Sequence, residues 1–167
     1  IRELASLLMI VAVALIATRN VMQRFANFLF IFAVWDIFYY VFLKLLIGWP
    51  ASLLTWDILF LIPVPWAGPV LSPLLISCIM ILFALTIRHF NYLSGYRLYF
   101  EVREWLVLLA GAFVVFASFI WDFAVYILGH FTSKAETINT LFDELETMTR
   151  HYVPMSFNWW IFSAGVI

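Results

Sequence analysis

The chain has 167 residues, of which 66% are hydrophobic and 11% charged, with a mean hydropathy of +1.04. Soluble domains run at about 45–50% apolar and about 25% charged, so these proportions belong to an integral membrane protein. A formal net charge of −1 excludes the basic surface of a nucleic-acid-binding protein, and a single cysteine, Cys78, excludes a disulfide framework or a cysteine-rich metal site.

Leu4 to Ala17 is an uncharged apolar run, short for a membrane span, which needs about 20 residues. It is expected to form the first helix. Phe25 to Ile47 is long enough to cross, and Gly48, Trp49 and Pro50 end it by lowering helix propensity and then blocking continuation. Inside it stand Asp36 and Lys44. The lysine can reach the interface along its own stem, whereas the aspartate cannot.

The segment from Trp49 to Pro73 holds five of the six prolines in otherwise apolar sequence. Its Leu53–Ile62 run is too short to span, and Pro63, Pro65 and Pro69 remove backbone donors. Residues 49–69 are therefore expected to form a re-entrant segment, wrapped by neighbouring helices because lipid cannot satisfy free backbone groups. Val70 to Ile87 is the next span. The loop after it combines Arg88, Arg97 and Arg103 with Tyr92, Tyr96, Tyr99, Phe100 and Trp105, a mixture that suits the headgroup layer.

Trp105 to Leu128 forms a further span and contains Asp122, with His130 beyond its end. The hydrophilic stretch 132–150 carries a Ser133/Glu136 capping box and apolar residues at helical spacing, Ile138, Leu141, Phe142, Leu145 and Met148. An amphipathic helix lying on the membrane or a partner is expected there. After Pro154, Phe157 to Ile167 begins a fifth apolar run. The chain opens on Ile1 and stops inside that run, as expected of a piece of a longer protein. The fold expected is all-α and polytopic: about five transmembrane helices in a single membrane domain over residues 1–167, with the re-entrant segment and the amphipathic helix.

Loop cations set the orientation. Residues 19–24 and 88–104 are the cation-rich loops and belong in the cytoplasm by the positive-inside rule, which places 132–150 outside a bacterial-type cytoplasmic membrane. An even number of crossings must then separate the two loops. The second and third helices supply it only if the proline-rich segment does not cross.

Trp35-Asp36-Ile37, Trp56-Asp57-Ile58 and Trp121-Asp122-Phe123 repeat a local pattern, and Tyr40 and Tyr126 follow Asp36 and Asp122 one helical turn later. An aspartate at mid-membrane costs about 2.5–3.5 kcal/mol on insertion scales. Asp36, Asp57 and Asp122, with Tyr40, Tyr126 and His130, are therefore the candidate polar site. They would serve as a proton, cation or substrate site in the outer half of the bundle, or else as hydrogen-bonded ties between helices. His89, His130 and His151 lie near loop ends and offer no facing pair within the helices for a haem.

Eighteen Phe, eight Trp and seven Tyr exceed the needs of interfacial belts, so aromatic surfaces are expected to meet lipid, other subunits, or flat ligands such as quinones and pigments. No phosphate loop, zinc-protease helix or nucleophile elbow is present. The expected function is a non-catalytic subunit of a larger membrane complex, with respiratory and photosynthetic assemblies as candidates. The alternative is a small proton-coupled transporter or membrane-embedded enzyme built on the aspartates.

Overall fold

The computed structural model describes residues 2–60, 64–93, 99–130, 147, 149 and 152–167, and only the backbone of residues 2, 3, 60, 92, 93 and 130. In chain order the described elements are α1 (Arg2–Ala17), α2 (Val21–Ile47), β1 (Trp56–Phe60), β2 (Trp66–Pro69), α3 (Leu71–Leu93), α4 (Val102–His130) and α5 (Trp159–Val166). Three helical stretches, Val21–Ile47, Leu71–Asn91 and Val102–Gly129, are long and apolar enough to cross a membrane. The protein is thus a mostly helical integral membrane protein. Leu4–Ala17 and the eight-residue α5 fall short of that length. The expected amphipathic helix over 132–150 lies outside the described residues except at positions 147 and 149.

The helices outrun the hydropathy pattern at their ends. α2 starts a turn before Phe25 because the Asn20 side chain accepts from the backbone N–H of Met22 (2.9 Å) and of Gln23 (3.4 Å), the role of an N-cap. It stops where Gly48 takes a left-handed conformation at φ 71° and donates its N–H to the Lys44 carbonyl. Lys44 then closes the end, its ammonium donating to the carbonyls of Pro50 (2.8 Å) and Gly48 (3.3 Å).

Two compact units are present, Ile1–Thr55 with Val70–Arg103, and Trp56–Pro69 with Glu104–Ile167. In the first, α2 and α3 pair antiparallel: Asn27 meets Arg88 and Asp36 meets Ser77, so position rises on one helix as it falls on the other, and Phe25 meets Phe83 edge-on near the same end. Ala26, Ala33, Ser72, Ser77 and Ala84 are buried. Small side chains let helix backbones approach closely in lipid, where dispersion and polar contacts drive association. The segment between these helices consequently leaves and returns at one end of the pair.

Within that segment, residues 56–60 and 66–69 are extended. The Leu71 N–H donates to the Leu53 carbonyl (2.8 Å) and the Val70 N–H to the Thr55 carbonyl (3.0 Å). An antiparallel ribbon follows, pairing Trp56 with Pro69, Asp57 with Gly68, Ile58 with Ala67 and Phe60 with Trp66, its register shifting between Ile58 and Phe60. The ladder gives the backbone internal partners that lipid would not.

In the second unit the ribbon packs on α4 and on the run before α5: Ala67, Phe123 and Tyr152 are buried together against Trp56, Val64, Tyr126 and Ile127. Trp66 meets Phe116 edge-on at 4.6 Å. α4 and α5 cross at two glycines. A Cβ on Gly165 would lie 2.7 Å from the Val115 nitrogen and 2.9 Å from the Gly111 carbonyl oxygen, and a Cβ on Gly111 would lie 2.8 Å from the Gly165 oxygen. Backbone atoms cannot swing aside as side-chain tips do.

Gly165→Ala is therefore expected to lower stability by about 1–3 kcal/mol, the usual cost of overpacking. A Cβ on Gly129 meets nothing within 4 Å, so Gly129→Ala should hold or raise stability by about 0.5–1 kcal/mol through helix propensity. Thermal unfolding in detergent distinguishes them, and equal melting temperatures for Gly165→Ala and the parent would disprove the close crossing.

Candidate functional site

Asp122 on α4 accepts four hydrogen bonds. Tyr152 and Ser156 reach it from the run that leads into α5. The Tyr152 hydroxyl donates to Oδ2 at 2.9 Å, as does the Met155 N–H at 3.0 Å. Oδ1 accepts from the Ser156 hydroxyl at 2.9 Å and from the Ser156 N–H at 3.2 Å. An ionised carboxylate is acceptor-only and offers about four lone-pair sites. Four donors from one short run meet that capacity.

Local sequence arranges those donors. Pro154 has no N–H and holds Val153 away from helical conformation, so an extended run presents the next two N–H groups to the carboxylate. Asn158 then caps α5, its Oδ1 accepting from the Ile161 N–H at 3.1 Å. Tyr152 is buried, edge-on to Phe123 at 5.0 Å and 5.4 Å from Tyr126 between ring centroids. Phe157 anchors the same run by ring contacts with Trp56 and Phe119. Burial pushes the Tyr152 phenol above its ordinary range, and its hydrogen bond to Asp122 and that carboxylate's charge push it further in the same direction.

Asp36 is placed differently. It sits on α2 in the other unit and accepts from the buried Ser77 hydroxyl of α3 at 2.8 Å. Tyr40, one turn along, is buried against Tyr39 and Trp49 with centroids 5.2 and 6.3 Å away. Asp57 lies in β1 opposite Gly68. His130 is the last residue of α4, and its side chain lies outside the described residues.

Of the six candidates, Asp122 and Tyr126 adjoin a shared neighbour, Tyr152, while Asp36 and Tyr40 share α2. No protein-family model matches the chain, and searches of curated proteins and of solved structures likewise return no match.

Sequence reading missed the partners. Ser77 is one of the few hydroxyls in an apolar helix, a signal that could have been weighed as a polar tie. Tyr152 and Ser156 stand 30 and 34 residues beyond Asp122, at no periodic spacing, and nothing local marks them. Among the described residues no three His, Cys, Asp or Glu side chains gather to hold a metal ion.

The Tyr152 bond has a pH signature. The folded state holds the phenol proton to higher pH than the unfolded chain, whose tyrosines titrate near about pH 10. Its contribution is complete below that value and is lost as pH rises through the folded-state titration. The stability advantage of the parent over Tyr152→Phe should therefore be flat from about pH 7 to 9 and shrink above about pH 10. Denaturant melts of both proteins across that range would show it, and parallel curves throughout would count against the bond.

Proposed function

We propose that the chain is a non-catalytic integral membrane subunit that packs against partner helices, or against hydrophobic cofactors, within a larger membrane complex. The observation that carries this reading is the commitment of Asp122, whose two oxygens are taken by four donors from the chain itself. A proton carrier or substrate ligand needs acceptor capacity that can be released. Asp36, tied to Ser77, fits the same structural use.

The aromatic face of α2 is where a partner or flat ligand would lie. Phe28, Phe32, Trp35 and Tyr39 follow one another at ring separations of 6.0, 5.8 and 6.4 Å, and Trp35 and Tyr39 are 36% and 46% exposed. Lipid, quinone and pigment share the apolar, extended character such a row would accept. A re-entrant ribbon fits the antiparallel pairing of α2 with α3, which returns the chain to the end it left. With loops 19–24 and 88–104 cytoplasmic, the ribbon and residues 132–150 would face outward across a bacterial-type cytoplasmic membrane.

Purification of the natural protein in a gentle detergent, with mass spectrometry of co-purifying polypeptides, tests this. One or more partners in fixed stoichiometry are expected. A monodisperse protein with no partner, together with a transport activity abolished by Asp36→Asn, would overturn it.

A further inference from the structure

A polar cleft of about 390 Å³ opens where α1, α2 and α3 meet, lined by Ala17, Thr18, Gln23, Asn27, Arg88 and Asn91. It lies at the start of α2 and the last turns of α3, the ends of two membrane-crossing helices and so the depth of lipid headgroups. Arg88 is exposed, and one of its terminal nitrogens donates to the Asn27 side-chain oxygen at 3.1 Å. That bond orients the guanidinium and leaves its other N–H groups for a ligand. The Nε–H of Arg24, next to Gln23 in sequence, donates to the carbonyl oxygen of the lining residue Thr18 at 2.7 Å. Gln23 contributes amide donors, since its oxygen accepts from the Thr18 hydroxyl at 2.8 Å. Among the described residues, no lining side chain is acidic.

We propose that this cleft, by setting the Arg88 guanidinium beside the Gln23 and Asn27 amides, binds the phosphate of an anionic phospholipid headgroup. Guanidinium donors match phosphate oxygens in geometry and charge, and basic pockets between spanning helices are suited to anionic headgroups. A cleft without an acidic side chain gives nothing to the cation of a zwitterionic headgroup, so anionic lipid is the better ligand.

Native mass spectrometry of the full chain, titrated with phosphatidylglycerol or phosphatidylcholine, tests the site. The parent is expected to retain phosphatidylglycerol in preference. Loss of a charge-assisted contact in Arg88→Gln should weaken that binding about tenfold, while Arg103→Gln, outside the cleft, leaves it unchanged. Asn27→Asp keeps an acceptor for Arg88 and adds a negative charge, so it should abolish the preference with elution and helical content preserved, and it decides the matter if Arg88→Gln misfolds. Equal retention of both lipids, or phosphatidylglycerol binding that survives Asn27→Asp, would overturn the proposal. Complete displacement of the lipid by inorganic phosphate alone would overturn it in favour of a free-phosphate site.

Discussion

Lipid offers no hydrogen bonds, and a carboxylate placed in a membrane helix must be met by donors that the protein supplies. Asp122 is where this chain answers that demand most completely. Its four donors come from one extended run, and by accepting them it fixes where that run lies along α4 and where α5 begins. The buried group of Ala67, Phe123 and Tyr152 forms around the same contact. So does the placing of Phe157 between Trp56 and Phe119. The close crossing at Gly111 and Gly165 lies further along α5, downstream of that fixed point.

The same constraint recurs in milder forms. Asp36 takes a hydroxyl from the facing helix, Lys44 turns back on the carbonyls released at the end of α2, and Arg24 serves the Thr18 carbonyl in the loop before it. The proline-rich segment meets it through the ladder between its two arms. Proline weakens such a ladder least where its missing donor faces away or stands at a strand end, and Pro69 closes β2.

Apolar runs made the long helices legible in the sequence, because a membrane span is a requirement on composition. The stop at Gly48–Trp49–Pro50 was legible too, since it rests on backbone chemistry at adjacent positions. Prolines showed that residues after Trp49 do not continue a helix, yet they carried no information about register, which depends on which residues face each other across the ribbon. Asp36 and Asp122 stood out by their cost in lipid, but Ser77, Tyr152 and Ser156 did not, because a hydroxyl costs little to carry and its partner is chosen by tertiary structure. For the same reason Gly111 and Gly165 read as ordinary glycines in apolar helices until their backbones are seen to touch. Sequence spacing showed Asp122 beside Tyr126, one turn away, whereas the phenol that donates to it is Tyr152.

That Asp122 is a structural tie rather than a chemical group in waiting is the claim on which the functional reading rests. A double-mutant cycle of Asp122→Asn and Tyr152→Phe, read by reversible unfolding in detergent, tests it most directly. Asp122→Asn should cost about 1.5–3 kcal/mol, as expected for hydrogen bonds to a charged acceptor, with a favourable coupling to Tyr152 of about 0.5–3 kcal/mol. Additive effects, or an Asp122→Asn protein as stable as its parent, would contradict it.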